Sequence, residues 1–259
     1  MQAGEVVSLK ELDASKHGQV LCYPRCEQQE FEKRLKELES LGVQALQFGG
    51  EKNVFDVPVL GKGCVGIVVI AYTNLGKAAL KIRRMDSDRK GMFHEGEMLT
   101  IANRINIGPK VFEISENFLL MELVEGAHFP EWLKAIEDEV QLRVRLVIQD
   151  VLEQCYRLDE AGLDHGELSR APKHIIVDKN EVPHLIDFET ASINRRVSNV
   201  TSICQYFFLG SQIADKVKSK LGKCDKKELI NALRVYKQER TRENFEKILE
   251  KQCNKRPQN

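Results

Sequence analysis

The segment Gly61-Lys62-Gly63-Cys64-Val65-Gly66-Ile67-Val68 places three glycines between two short β-branched runs. Glycine has no side chain, so backbone N–H groups in such a loop can close on phosphate oxygens. A structural hairpin satisfies the same spacing, and the segment alone does not separate the two readings. The residues that follow it in order do. The apolar run Ala78-Ala79-Leu80 ends in Lys81, thirteen residues after Val68. Met92, Glu95, Met98, Leu99 and Ala102 then fall on one helical face, which sets a carboxylate in an apolar stripe, while Glu97 turns away from it. A buried charge is costly without a counter-charge, so Glu95 calls for a cation, and Lys81 is the candidate. An ammonium held in that way is aimed at nucleotide phosphates. Met121-Glu122-Leu123-Val124 ends another apolar run, where the Glu122 carbonyl and the Val124 backbone groups are placed to bond an adenine edge. Asp187 ends the run Leu185-Ile186, a position suited to a hard divalent cation that bridges phosphates; a turn-initiating aspartate is the alternative. The loop His165-Gly166-Glu167-Leu168 lies between these parts. In this order they are the pieces of one phosphoryl-transfer site.

The elements that carry these residues change character along the chain. Phe31, Leu35, Leu38 and Leu41 recur at helical spacing from about Gln28, with Gly42 as a C-terminal cap, and Val43 to Phe48 reads as a strand. Phe55–Leu60, Gly66–Tyr72 and Ala78–Arg83 read as three successive strands, the last two joined by the turn Asn74-Leu75-Gly76. Asp86 and Ser87 are candidate caps for a helix running to about Asn103, and Phe118–Leu123 is a further strand. Beyond Gly126 the pattern is helical: Val144, Val147, Val151, Cys155 and Leu158 form one face, and Gly162 ends that helix. Ile175–Val177 and Pro183–Ile186 make a two-stranded ribbon, followed by helices over Ser202–Phe208, Lys227–Tyr236 and Thr241–Leu249. The expectation is an α+β, two-lobed chain: residues 1–50 an N-terminal extension, 51–124 a strand-rich lobe with one key helix, 125–259 a helix-rich lobe.

Composition narrows the classes. With 259 residues, 42% of them apolar and 30% charged, the chain can bury a sizeable core. Its 39 Lys/Arg balance 39 Asp/Glu, so the whole molecule announces no polyanionic partner. From Asp215 to Asn259, however, fourteen basic residues stand against seven acidic ones. That surplus is either a ribosome- or RNA-facing surface or the solvated faces of terminal helices. No signal peptide is legible at the start, and no run of about 20 apolar residues exists to span a bilayer, so no membrane partner is expected. Seven scattered cysteines point to a reducing, cytoplasmic setting. Cys22 and Cys26, with His17 nearby, are either part of a metal site or ordinary small buried thiols.

Gly61, Gly63 and Gly66 with Val68, then Lys81, Glu95, Met121-Glu122-Leu123, His165-Gly166-Glu167-Leu168 and Asp187-Phe188 stand in the order of the eukaryotic-type protein kinase superfamily. From about Val54 to Phe208 the chain resembles that superfamily, and within it the small RIO-type and atypical kinases of archaea. The resemblance implies a bilobal kinase-like fold, ATP with Mg²⁺ or Mn²⁺ as cofactors, and transfer to Ser/Thr hydroxyls of a protein substrate, the chain itself included. It gives Gly61, Gly63, Gly66, Val68, Lys81, Glu122 and Val124 to the nucleotide, and Lys81, Glu95 and Glu167 to catalysis. Asp187 and His174 are given to the metal. Three departures from the family pattern stand out. Glu167 replaces the catalytic aspartate and reaches about one methylene further. His174 stands where an asparagine metal ligand is expected, and imidazole favours softer ions such as Mn²⁺ if it binds metal at all. Glu189 replaces the glycine after Asp187-Phe188. Arg170 and Lys173 lie in a loop two residues longer than expected, either near the γ-phosphate or facing solvent. The resemblance leaves two alternatives open: a pseudokinase or nucleotide-binding scaffold, and a small-molecule kinase of the aminoglycoside/choline type.

Overall fold

A computed structural model of the chain describes residues 4–88, 91–136, 141–210, 212–222 and 224–251. It is an α+β structure of two compact units, Met1–Thr100 with Pro109–Leu123, and Ile101–Gly108 with Val124–Asn259.

The first unit is built on an antiparallel sheet. Its elements, in chain order, are β1 (Glu5–Ser8), α1 (Gly18–Leu21), α2 (Gln28–Ser40), β2 (Val43–Phe48), β3 (Lys52–Val54) and β4 (Val57–Val59). There follow β5 (Gly61–Lys62), β6 (Gly66–Thr73), β7 (Gly76–Arg83), α3 (Phe93–Asn103, of which the residues from Ile101 on count with the second unit), β8 (Val111–Ile114) and β9 (Phe118–Glu122). The sheet order is β1-β2-β6-β7-β9-β8, with β5 paired to β6 off that path, and β3 and β4 form a separate hairpin. Strand geometry turns successive side chains to opposite faces. On β7 this sends Ala78, Leu80 and Ile82 into the core with Leu46, Ile67, Val69 and Phe118, and leaves Ala79 and Lys81 on the other face. Residues 5–48 supply β1 and β2 to this sheet, with β2 between β1 and β6, so they share one core with the glycine-rich strands.

A fully buried arginine fastens α2 to that sheet. Arg34 lies on the inward face of α2 with Phe31 and Leu38. Its guanidinium donates to the carbonyl of Leu21, to that of Arg83 at 2.8 Å, to Asn117 Oδ1 at 3.0 Å and to Glu30 Oε1 at 2.8 Å. Asn117 in turn donates from its backbone N and its Nδ2 to the two oxygens of Glu37, at 2.8 and 2.7 Å. A charge at such depth is tolerable because its donors meet carbonyl and carboxylate oxygens from several parts of the unit.

Two expectations for this unit need correction. The strand expected over Phe55–Leu60 is the tail of the β3–β4 hairpin. Val54 pairs with Val57, and Phe55 at the turn takes φ 51°, a left-handed conformation that an apolar run does not announce. The helix expected from Asp86 and Ser87 starts at Phe93, because the Asp86 carboxylate is taken by the Arg84 guanidinium at 2.9 and 2.7 Å.

The second unit contains β10 (Gly126–His128), α4 (Phe129–Ala135), α5 (Gln141–Glu160), β11 (Ile175–Asp178), β12 (Pro183–Leu185) and α6 (Asn199–Cys204). A single π-helical turn follows at Gln205–Leu209, then α7 (Gln212–Leu221), α8 (Lys226–Gln238) and α9 (Arg242–Glu250). The buried face of α5 includes Val144, Val147, Val151, Cys155 and Leu158, and the helix stops before Gly162, whose φ is 71°. The expected two-stranded ribbon has a third member. β10 pairs with β11 through Ala127 and Val177, and its three residues are too short a run to show a strand period. Of the basic stretch from Asp215 onward, residues 223 and 252–259 lie outside the described residues; the rest forms α7, α8 and α9 with their connections. No helix among the described residues is long and apolar enough to cross a membrane.

Candidate functional site

In the first unit the three glycines form a tight hairpin. Gly61 pairs with Val68 and Lys62 with Ile67, and the Gly63 N–H donates to the Gly66 carbonyl at 2.8 Å. Arg84 holds this turn: its backbone N donates to the Val65 carbonyl at 2.8 Å and its guanidinium to the Gly63 carbonyl at 2.7 Å. The Arg84 guanidinium and the Lys62 ammonium also lie over the Tyr23 ring, 4.6 and 4.5 Å from its centre, so the N-terminal region packs against the hairpin. What the hairpin demands of Gly66 is space. A Cβ there would stand 3.0 Å from both Cγ and Cε of Lys81, whose stem crosses the strand at that point. At Gly63 the nearest atom to such a Cβ is 3.6 Å away, and a small side chain fits.

Lys81 reaches past Gly66 to α3. Its Nζ lies 2.8 Å from each carboxylate oxygen of Glu95. Lys81 is 6% exposed and Glu95 5%, so water does little to screen the pair. Met92, Met98, Leu99 and Ala102 are buried as Glu95 is, whereas Glu97 is exposed. Val68, half-buried, sits opposite Lys81 in the β6–β7 ladder. At the end of β9, Glu122 exchanges hydrogen bonds with Lys110: its N–H donates to the Lys110 carbonyl at 2.8 Å and its Oε2 accepts from the Lys110 N–H at 3.1 Å. Val124 begins the chain's return to the second unit.

In the second unit, two loops carry Glu167, His174 and Asp187. His165 anchors the first. Its backbone N donates to Asn199 Oδ1 at 2.8 Å, its Nε2 lies 3.0 Å from the Ile186 carbonyl, and its ring packs against Phe188 at 4.8 Å. Gly166 follows at φ 96°, and a Cβ there would collide with the Arg195 guanidinium and with Thr190 Oγ1. Glycine is therefore required on both conformational and steric grounds. Glu167 then opens the 3-10 turn Leu168–Arg170. The Ile186 N–H donates to the His174 carbonyl at 3.0 Å, which fixes the backbone of the two loops side by side. His174 Nε2 lies 3.7 Å from Glu167 Oε2, and its Nδ1 lies 3.8 Å from Asp187 Oδ2. Asp187 itself takes φ 68°. Glu189 is half-buried, and Arg170 and Lys173 are exposed.

Several residues that hold these loops carry no signal by type or spacing. Asp164 accepts from Arg195 Nε at 2.5 Å and from the Ser198 N–H at 2.8 Å, while Arg195 also donates to the Thr190 carbonyl at 2.7 Å. Beneath them, buried Asp159 accepts from the Asn199 N–H and Nδ2 at 2.9 and 2.8 Å and from the Tyr236 hydroxyl at 3.0 Å. Burial pushes its carboxyl above the ordinary range despite these donors. The Cys22, Cys26 and His17 group does not form a ligand set among the described residues. His17 Nδ1 accepts from the Asp13 N–H at 2.9 Å with its ring stacked on Phe48, and burial pushes the Cys22 thiol up to about 12, which keeps it protonated.

His165 makes the loop acid-sensitive. Burial, aided by the nearby His174, lowers its pKa from 6.5 to about 4. Below about pH 6.5 the unfolded chain takes up a proton that folded His165 refuses until about pH 4. The stability present at neutral pH is therefore lost as pH falls through that window, by about 3 kcal/mol in all. Urea unfolding at pH 7, 5.5 and 4.5 should show a flatter acid limb for His165→Gln than for the parent chain. Identical limbs would refute the assignment.

No family model matches the chain. The uncharacterized protein MJ1211 of Methanocaldococcus jannaschii is similar to it, with 28% identity over 102 residues, covering 39% of this chain and 83% of that protein.

Proposed function

We propose that the chain is an ATP-dependent phosphotransferase of bilobal, kinase-like design, an atypical RIO-like serine/threonine protein kinase that also acts on itself. The observation that carries the reading is the buried Lys81–Glu95 pair, with Lys81 Nζ 2.8 Å from both Glu95 oxygens beside the glycine hairpin. The Lys81 stem crosses Gly66 on its way to Glu95, so the paired ammonium is held beside the glycine hairpin, the arrangement a phosphate-neutralising lysine needs.

In this reading Gly61, Gly63, Gly66 and Val68 cover the nucleotide, and backbone groups of Glu122 and Val124 bond its base. Lys81, aimed by Glu95, neutralises phosphate charge. Asp187 and His174 are the residues that would hold Mg²⁺ or Mn²⁺; carboxylate oxygen suits either ion, and imidazole suits Mn²⁺ better. The bound ion would supply charge neutralisation at the phosphates. Glu167 orients the attacking hydroxyl or takes its proton, with one methylene more reach than an aspartate. Arg195 and Asp164 keep Gly166 and Glu167 in place. Residues 51–124 form the nucleotide-covering lobe and 125–259 the lobe that carries Glu167, His174 and Asp187. The protein is assigned to the cytoplasm, and its basic helices to RNA or ribosome contact.

The test is incubation of the purified chain with γ-labelled ATP and either Mg²⁺ or Mn²⁺, with and without a generic basic protein. Label on serine or threonine of either protein is the expected result. Nucleotide binding with no transfer to protein would end the kinase assignment in favour of a scaffold, and transfer to aminoglycoside- or choline-like metabolites alone would end it in favour of a small-molecule kinase.

A further inference from the structure

We infer that Glu167, His174 and Asp187 form a site for a divalent transition-metal ion of the Mn²⁺, Co²⁺ or Zn²⁺ class, one that fills without nucleotide and uses Glu167 as a ligand. The inference rests on the phosphotransfer reading for the purpose of the ion, and not for its binding.

One ligand atom from each of the three residues lies within 4.8 Å of the other two. The separations from the imidazole to the carboxylates, 3.7 and 3.8 Å, are too long for hydrogen bonds. His174 is 12% exposed at its side chain, and its Nδ1 is buried and makes no hydrogen bond. A buried ring nitrogen left in that state is costly, and the ring faces carboxylate oxygen on both sides. Ligand atoms about 2.0–2.2 Å from one ion stand roughly 3.0–3.6 Å apart at angles of about 90–120°. The two separations run to different ring nitrogens, and with one atom taken from each residue the three lie within 4.8 Å of one another, so binding draws them together by up to about 1–2 Å through side-chain rotation. One nitrogen suffices for the ion, and the other stays directed at a carboxylate that fixes its tautomer.

The donor set decides the ion. Mg²⁺ wants an octahedron of oxygens and keeps its waters, whereas imidazole raises affinity along the later first-row ions. The main-chain bond from Ile186 to His174 holds the two central ligands side by side before any ligand arrives. The competing account is a protonated imidazole bridging two carboxylates, and it predicts no metal affinity at all.

The test titrates Co²⁺ into the full chain without nucleotide, followed by visible absorption and calorimetry. One equivalent should bind, with d–d bands that a hundredfold excess of Mg²⁺ does not remove. Glu167→Gln, His174→Ala and Asp187→Asn should each weaken binding by more than about tenfold. His174→Asn, which keeps a polar side chain of smaller size, should shift preference toward Mg²⁺. No cobalt bands in the folded parent chain, or binding unchanged in both His174 variants, would overturn the inference. Phosphate transfer with Mg²⁺ but no cobalt site would sink this inference and leave the kinase reading intact. Cobalt binding that depends on all three residues, without any ATP binding, would do the reverse.

Discussion

Under the proposed phosphotransfer reading, Lys81→Ala should lower phosphate transfer by roughly 10²–10³-fold, the scale on which removing one electrostatic contact to a transition state is felt. The same change should destabilise the first unit by about 3 kcal/mol, because it takes away the ammonium that faces the buried Glu95 carboxylate. Those two effects have to be separated, since loss of fold would by itself lower any transfer. The double variant Lys81→Met/Glu95→Leu replaces the pair with apolar groups of similar size, and such replacements are often neutral or stabilising. It should recover the unfolding midpoint of the parent chain while transfer stays at the Lys81→Ala level. Glu95→Gln alone keeps a hydrogen-bonding partner for Lys81 and loses only the aim that charge provides, so it should fall between. Recovery of transfer in the double variant, or full transfer in Lys81→Ala, would reduce the pair to a structural feature of the sheet.

That pair is legible in the sequence for a physical reason. A carboxylate among Met92, Met98 and Leu99 violates the helical stripe, and a violation that costly implies its own partner. β2 is legible to the residue, and β6 and β7 to within two, because β-branched alternation and flanking glycines mark strands strongly. β3, β4 and β10 escape such a reading, being three residues each, below the length at which a period can be counted. The start of α3 is misplaced by it because Asp86 has the right type for a cap and is spent on Arg84. The supports of the site are invisible for a different reason. Arg34 reaches Arg83 and Asn117, Asp159 reaches Asn199 and Tyr236, and Asp164 reaches Arg195. These partners lie 31 to 83 residues apart along the chain, and only the folded backbone brings them together. Asp187 and His174 stand out from their order along the chain, but the approach of Glu167 to His174 depends on the left-handed turn at Gly166, which spacing does not report.

Asp187 offers the second large effect, because its backbone and its side chain make opposite demands. A φ of 68° is unfavourable for a residue with a Cβ, and aspartate is among the few that tolerate it. The conformation is imposed from both sides: Ile186 is tied to the His174 carbonyl, and Phe188 is fully buried against His165. Glycine at 187 would adopt that φ without steric cost but loses more chain entropy on folding, so the backbone change by itself should leave Asp187→Gly within about 1 kcal/mol of the parent chain. Asp187→Asn keeps the tolerance for this φ and removes only the charge. Both should lose transfer by at least roughly 10²-fold if the carboxylate holds metal against phosphate. Thermal unfolding and transfer, measured on the same preparations, decide the matter. Loss of activity with stability kept or gained marks a residue strained in the service of chemistry. A steep loss of stability in Asp187→Gly would mean that the carboxylate holds the loop together, and activity retained in Asp187→Asn would remove it from the site.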